Sequence, residues 1–260
     1  MITSAQNTKI QWVKKLSAQK KERDASGSYV IEGVRSVEEA FASGAVCRLF
    51  FYTAPLTERV RVLVSYAEEQ GIPAEEITES LMKSVSDTAT PQGALAVMEK
   101  SPLPIPDMVD FILLLDTIRN PGNLGTLFRT AAAAGVDLVI LSPGCADPYA
   151  PKVIRSAMGG HFKVPFWEAG WAEIEAVLGR FPGLQVLAAD MDGGRSCWDT
   201  DFSLPTALVI GSEADGISAD ALALTTGKVF IPMPGKIESL NAAMAAGILI
   251  FEVVRQRQGH

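Results

Sequence analysis

The chain has 260 residues, of which 48% are hydrophobic and 20% are charged, and its net charge at pH 7 is −7. These proportions are typical of a folded globular protein and exclude a disordered chain. The acidic net charge argues against a protein that binds nucleic acid over its whole surface, because phosphate contacts need lysine and arginine. The three cysteines, Cys47, Cys145 and Cys197, form no CxxC pair, so neither a metal site nor a disulfide framework is expected.

The N-terminal residues and the apolar runs indicate a cytoplasmic protein. The first 16 residues lack the apolar core of a signal peptide. The longest apolar run, residues 242–251, is too short to cross a bilayer. We therefore expect a soluble protein with no membrane partner.

Basic residues concentrate near the start of the chain, where the first 35 residues hold seven lysines and arginines against three acids. A local basic patch of this kind can bind RNA even on an acidic protein. A solvated amphipathic helix with lysines on its wet face explains the same charges equally well. Charge alone leaves both interpretations open.

Residues 1–100 predict a small α/β domain. The spacing of apolar residues predicts a basic helix over 8–21, a strand over 29–31 and a helix over 34–42. A strand follows over 48–52, then a helix over 58–70 that ends at Gly71, and a closing strand over 94–98. Residues 101–107 contain three prolines, which stiffen the chain and remove backbone donors, so they are the predicted linker.

The second predicted domain spans residues 108–260. Its first strand, 111–115, is apolar throughout, as in a parallel sheet buried on both faces. A loop over 116–123, a helix over 124–134 and a strand over 136–141 complete a βαβ unit. Further strands are predicted over 186–189, 207–210 and 229–231, with a final helix over 240–256. This alternation predicts a mostly parallel sheet covered by helices on both sides.

Three polar or glycine-rich stretches follow predicted strands, where α/β sheets place ligand sites. In the first, residues 120–130, Asn123 can cap the next helix, and Arg129 suits a phosphate partner or is a plain surface arginine. In the second, residues 210–218, Glu213 is either a helix-start acid or a site residue. In the third, residues 231–247, Ser239 or Asn241 can cap a helix whose small residues admit a ligand or another helix. No dinucleotide-binding or phosphate-binding glycine loop is present.

The order of these stretches is more specific than any one of them. NPGNLGTLFRTAAAAG, GSEADGIS and IPMPGKIESLNAAMAAGI together resemble the three motifs of the SpoU/TrmH family of RNA 2′-O-methyltransferases, part of the SPOUT superfamily. The resemblance covers residues 110–255. YVIEGVRSVEEA and TPQGALAV are similar to the substrate-binding domain, related in fold to a ribosomal protein, that precedes the catalytic domain in many members.

The resemblance implies a fold and a cofactor. The catalytic domain would be a parallel α/β sheet with a deep trefoil knot, and it would form a homodimer whose active site takes residues from both chains. The cofactor would be S-adenosylmethionine. By position in the motifs, the backbones of Gly211, Ile231 and Leu240 would hold it, and Met233 would line its adenine pocket.

The resemblance also implies the chemistry, which is attack of a ribose oxygen on a sulfonium methyl. Arg129 matches the catalytic arginine, and Asn123, Glu213, Ser239 and Asn241 match the polar residues around it. The arginine is either the base or a stabiliser of the developing alkoxide charge; guanidinium groups ordinarily stay protonated. Ser212 stands where the family usually has asparagine, at a cofactor-side or dimer contact.

The predicted partner is RNA, with ribosomal RNA favoured over transfer RNA because of the separate N-terminal domain. The residues proposed to touch it are Lys14, Lys15, Arg35, Lys152 and Arg155. The alternative functions are methylation of a transfer-RNA ribose and a non-catalytic RNA-binding protein on the same fold. The intact polar residues and Arg129 argue against the second alternative, since a pure binder does not need them all.

Overall fold

The computed structural model describes residues 1–212, 214–235 and 239–258. Its contacts divide the chain into two compact units. The first unit consists of Met1–Ser101 with Asp147–Phe162, and the second of Pro102–Ala146 with Lys163–His260. None of the helices in the described part of the chain is long and apolar enough to span a membrane.

The helices and strands alternate along most of the chain. The helices are, in chain order, α1 (Thr8–Ala18), α2 (Lys20–Ser26), α3 (Val34–Ala42), α4 (Glu58–Glu69), α5 (Glu79–Val85), α6 (Pro121–Ala134), α7 (Pro151–Ala157), α8 (Trp171–Leu178), α9 (Ala219–Ala223) and α10 (Ala242–Arg257). The strands are β1 (Ser28–Glu32), β2 (Cys47–Tyr52), β3 (Ala74–Glu76), β4 (Ala94–Glu99), β5 (Phe111–Leu115), β6 (Leu138–Leu141), β7 (Phe166–Glu168), β8 (Gln185–Ala189), β9 (Arg195–Ser196), β10 (Thr206–Ile210) and β11 (Gly227–Phe230).

The first unit is built on a four-stranded sheet in the order β1-β4-β2-β3. β4 pairs antiparallel with β1 and β2, whereas β3 pairs parallel with β2. The apolar face of α1, formed by Ile10, Val13 and Leu16, packs into the core on this sheet. The single helix predicted over 8–21 is wrong at its end, because Gln19 is extended (φ −126°, ψ 117°) and separates α1 from α2.

Residues 147–162, which the sequence placed in the second domain, pack with the first unit. α7 lies against β1. The rings of Tyr29 and Tyr149 are 4.9 Å apart, and that of His161 is 5.2 Å from Tyr149. Asp147 forms an ion pair of 2.6 Å with the buried Arg23. Apolar packing and a buried ion pair therefore attach this segment to the first unit.

The second unit is built on a seven-stranded sheet in the order β7-β6-β5-β10-β8-β11-β9. Each pairing recorded between its described strands is parallel, which confirms the prediction of a parallel α/β fold. From β5 the chain proceeds outward through β6 to β7, and the remaining strands lie on the other side. β5 and β10 therefore flank the point where the strand order reverses, the usual ligand position in such sheets. The trefoil knot implied by the resemblance stays a prediction.

Candidate active site at the carboxyl ends of the central strands

The loops that follow β8, β10 and β11 enclose a cavity of about 380 Å³, here called the larger cavity. The four residues expected to hold the cofactor, Gly211, Ile231, Met233 and Leu240, all line it. Ser239 lines it as well. Because parallel strands end at one edge of a sheet, residues far apart in sequence meet there. The grouping of these residues is thus seen in the structure, while their individual roles stay predictions.

The loop after β10 turns back on itself at the wall of this cavity. The backbones of Ser212 and Gly216 exchange two hydrogen bonds, of 2.9 and 3.0 Å. A Cβ atom on Gly211 would lie 2.3 Å from the carbonyl oxygen of Gly216, so only glycine fits there. The hydroxyl of Ser212 accepts a hydrogen bond of 3.0 Å from the backbone N–H of Asp215. Serine therefore stabilises this turn at the position where the family usually has asparagine.

Among the described residues, two carboxylates line the larger cavity, and each has a cationic partner. Asp190 accepts a hydrogen bond of 2.6 Å from Lys228, and this contact holds the pKa of Asp190 below its ordinary value. Asp215 forms an ion pair of 3.0 Å with Arg119. Apolar side chains such as Leu249 supply much of the remaining wall. Apolar walls with a few placed polar groups are typical of small-molecule sites.

A smaller cavity of about 160 Å³ adjoins the larger one. The two share Ser212 and Ala242 in their walls. The other residues that line the smaller cavity are Ile118, Arg119, Asn120, Asn123 and Ala214. Beside it, the amide of Asn241 donates a hydrogen bond of 3.2 Å to the side-chain oxygen of Asn123. The structure therefore brings together two of the predicted catalytic residues, one from the first turn of α6 and one from the end of the loop after β11.

Helix capping explains how these two asparagines are placed. The side chain of Asn241 accepts hydrogen bonds from the first turn of α10, so Asn241 rather than Ser239 is its cap. The prediction that Asn123 caps α6 is wrong. Asn120 caps it by accepting a bond of 2.8 Å from Gly122, and Pro121 occupies the first helical position, which needs no donor. α6 therefore begins three residues earlier than expected, and the side chain of Asn123 lines the smaller cavity.

Arg129 does not join this group within one chain. It is exposed on α6 and is absent from the described walls of both cavities. It follows Asn123 by six residues, which is about 9 Å along a helix and about 120° around it. Glu213, the remaining predicted catalytic residue, lies outside the described residues.

The five predicted RNA-contacting cations all belong to the first unit. Lys15, Arg35 and Lys152 are exposed, whereas Lys14 is half-buried. Arg155 forms an ion pair of 2.6 Å with Asp87, so a phosphate would have to compete for it. Arg23 does not belong to the basic surface, because it is buried and paired with Asp147.

Sequence reasoning missed two features of the site. Asp190 was not identified, although it directly follows β8 and the end of a parallel strand is a signal that could have found it. Arg119 was not identified as a site residue either. Its pairing with Asp215 joins loops almost a hundred residues apart, and no local pattern predicts such a contact.

Comparison with known proteins places this site in a family. The model of the "SpoU rRNA Methylase family" matches residues 110–251, and that of the "MRM3-like substrate binding domain" matches residues 7–96. The chain is 35% identical to the 23S rRNA (guanosine(2553)-2′-O)-methyltransferase RlmP of Bacillus subtilis, over 97% of this chain and 98% of that protein.

Solved structures agree with this assignment. The SpoU methyltransferase AviRb of Streptomyces viridochromogenes, in complex with the cofactor AdoMet, has a TM-score of 0.87 and 30% identity, covering 98% of this chain and all of that one. An AdoMet-bound rRNA methyltransferase of Sinorhizobium meliloti also has a TM-score of 0.87, with 30% identity over 98% of this chain and 97% of that one. Fold and site thus define an S-adenosylmethionine-dependent RNA 2′-O-methyltransferase. The chain belongs to the SpoU rRNA methylase family.

Proposed function

We propose that the protein transfers a methyl group from S-adenosylmethionine to a ribose 2′-hydroxyl of ribosomal RNA in the cytoplasm. The observation that carries this proposal is the convergence of Gly211, Ile231, Met233 and Leu240 on one cavity, beside the Asn123–Asn241 pair. Relatives support the choice of RNA, since the Bacillus protein acts on a guanosine and a Streptomyces protein on a uridine of 23S rRNA.

The larger cavity fits the cofactor in size and chemistry. Its volume of about 380 Å³ lies within the range of about 300–1,000 Å³ that is usual for small-molecule sites. Met233 and Leu240 offer apolar surface for an adenine ring, and the loop at Gly211 brings backbone atoms to the cavity wall. When bound, S-adenosylmethionine supplies a methyl group on a sulfonium, which an oxygen nucleophile can displace.

The protein's residues would orient the acceptor hydroxyl and stabilise its charge. Asn123 and Asn241 present amide groups that can hydrogen-bond a ribose, and each is held by the start of a helix. The hydroxyl loses its proton as it attacks, so positive charge close to the oxygen lowers the barrier. Arg129 is the proposed source of this charge, and it would act as a stabiliser because a guanidinium stays protonated.

A homodimer would bring Arg129 to the site, since that side chain is absent from the described walls of the larger and the smaller cavity in its own chain. α10 exposes Met244, Ile248 and Phe251, which are spaced to form one apolar stripe along the helix. α10 packs against α6, the helix that carries Arg129. A second copy on this stripe would bury it, as is typical of two-fold interfaces. We propose that Arg129 of each chain serves the cavity of its partner.

The first unit would bind the RNA through its exposed cations. Lys15, Arg35 and Lys152 are exposed, and Lys14 and Arg155 add charge to the same unit. Such contacts position the RNA through its phosphates. Their contribution should fall steeply as salt concentration rises.

The test is transfer of a labelled methyl group. Purified protein is incubated with labelled S-adenosylmethionine and with unmodified ribosomal or transfer RNA, and the Arg129→Ala variant is the control. The proposal predicts label in ribosomal RNA with the unaltered protein alone. Label in transfer RNA only would contradict the proposed substrate, and no label in either RNA, although the cofactor binds, would support a non-catalytic binder.

A further inference from the structure

The ion pair between Arg119 and Asp215 lies beside both cavities. Arg119 lines the smaller cavity, Asp215 lines the larger one, and their side chains are 3.0 Å apart. The two side chains are 66% and 59% exposed. The pair thus connects the loop after β5 with the loop after β10 at the surface of the protein.

We propose that the smaller cavity receives the acceptor ribose, and that Arg119 leaves Asp215 to bind a phosphate attached to that ribose. This inference rests on the proposed function. It places the ribose in the smaller cavity and the phosphate at Arg119. The smaller cavity is the acceptor site, and Arg119 is a substrate-binding residue at its rim.

Position and size favour a sugar in the smaller cavity. A group placed there touches Ser212 and Ala242, which also line the larger cavity, and direct transfer requires the reacting atoms to lie close together. The smaller cavity has less than half the volume of the larger one. A pentose ring fits such a space better than a whole nucleotide does, so the base and the phosphate would lie outside it. The amide groups of Asn120 and Asn123 match the hydroxyl groups of a sugar.

The chemistry of Arg119 favours a phosphate. A guanidinium presents several donors in a plane and binds phosphate oxygens two at a time. Every ribose of an RNA chain carries a phosphate on each side, so a phosphate necessarily comes close to the rim when the ribose enters the cavity. The present partner is easily exchanged, because ion pairs between exposed side chains contribute little to stability.

A different role for Arg119 would be to hold the two loops together through Asp215. The two roles predict different effects of removing Asp215. If the ion pair only supports the loops, removing either partner has the same effect. If Arg119 binds RNA, removing Asp215 leaves the arginine in place and eliminates its competitor.

The experiment compares Arg119→Gln with Asp215→Asn, using Arg180→Gln as a matched control on an exposed arginine outside both cavities. The KM for ribosomal RNA and kcat are measured at saturating S-adenosylmethionine, and the affinity for S-adenosylmethionine is measured by calorimetry. We expect Arg119→Gln to raise the KM for RNA about tenfold or more, the effect of losing a charged hydrogen bond. Its affinity for S-adenosylmethionine should stay within about twofold of the unaltered protein, because Arg119 does not line the larger cavity.

Asp215→Asn should keep or lower the KM for RNA, and Arg180→Gln should leave it unchanged. The dependence of RNA affinity on salt gives a second measure, since a lost phosphate contact reduces the log–log slope by about one. The proposal is overturned if Arg119→Gln leaves the KM for RNA unchanged, or if Asp215→Asn raises it as much as Arg119→Gln does. Failure of the proposed function looks different, because the unaltered protein would then not methylate RNA.

Discussion

At the scale of single residues, Arg129 carries the largest expected effect on activity. Replacing it by alanine removes the charge that we assign to stabilising the ribose oxygen, and losses of about 100- to 1,000-fold in kcat are usual for such groups. The affinity for S-adenosylmethionine should stay nearly unchanged, because Arg129 is absent from the described wall of the larger cavity. Single-turnover methyl transfer with calorimetry separates the two effects. Equal activity of the variant and the unaltered protein would exclude the assignment.

His161 should make the protein sensitive to mild acid. It is buried among the rings of Tyr29, Tyr149 and Phe162, and burial lowers its pKa from 6.5 to about 3. The unfolded chain takes up a proton below pH 6.5 whereas the folded chain does not, so stability is lost as the pH falls through this window. The expected loss between pH 7 and pH 5 is about 2 kcal/mol.

Urea unfolding of the unaltered protein and of His161→Phe at the two pH values tests this expectation. Phenylalanine keeps an aromatic ring in the cluster and cannot take up a proton. The difference in unfolding free energy between the two proteins should therefore change with pH, by the amount expected for one histidine. If the unfolding free energies of the two proteins depend equally on pH, His161 is not the source of the acid sensitivity.

Several residues of the site could be identified from the sequence, because motifs fix which residues follow which strand. Gly211, Ile231, Met233 and Leu240 were selected in this way, and all of them line one cavity. The motif could not indicate that Asn120 rather than Asn123 caps α6, since both residue types and both positions are compatible with a helix start.

At the scale of elements, the turn after β10 depends on the missing side chain of Gly211. A methyl group there would lie 2.3 Å from the oxygen of Gly216, so Gly211→Ala must displace the loop. Small displacements at a site have large effects, and we expect the affinity for S-adenosylmethionine to fall about tenfold or more. Gly170→Ala is the matched control, because a methyl group there has its nearest contact at 3.5 Å. If Gly211→Ala and the unaltered protein bind S-adenosylmethionine with equal affinity in calorimetry, this account of the turn is excluded.

The longer elements were predictable and the short ones were not. β5, with five buried apolar residues, and α3, with regular apolar spacing, have the predicted bounds. β3 has three residues and β9 has two, which is too few for a pattern of alternation to emerge. The break between α1 and α2 at Gln19 was missed as well. The segment contains no proline or glycine that would indicate the end of a helix there.

At the scale of the whole molecule, the proposed dimer can be tested at the apolar stripe of α10. Phe251→Glu places a charge on an exposed aromatic position of this stripe. We expect the variant to be monomeric in sedimentation and to lose methyl transfer, because a buried unpaired charge opposes association. Glu58→Lys, on an exposed position of α4 in the first unit, is the control for a change of surface charge. A dimer that survives in Phe251→Glu would exclude this face.

Mixing two inactive variants tests whether the site is shared between chains. Arg129→Ala and Asn241→Ala would each inactivate both sites of their own homodimer. Random exchange makes half of the dimers hybrid, and one of the two sites in each hybrid has both residues, so about a quarter of the activity should return. No recovery after exchange of subunits would mean that Arg129 serves the cavity of its own chain.

The division of the chain into units shows where sequence reasoning stops. The proline-rich residues 101–107 mark a change of unit near Ser101, as local composition can indicate. The return of residues 147–162 to the first unit depends on contacts such as Arg23–Asp147, which join positions 124 residues apart. Composition and periodicity carry no information on such contacts. The resemblance to a family was needed for the cofactor, because no local glycine motif indicates S-adenosylmethionine.

The measurement that tests the central claim most directly is the chemical position of the transferred methyl group. Ribosomal RNA labelled by the protein from S-adenosylmethionine is hydrolysed in alkali, which requires a free ribose 2′-hydroxyl at each cleaved bond. The account predicts that the label appears in dinucleotides that resist alkali, and that it is lost with Arg129→Ala. Label in the mononucleotides that alkali releases, as for a methylated base, would contradict methylation of the ribose.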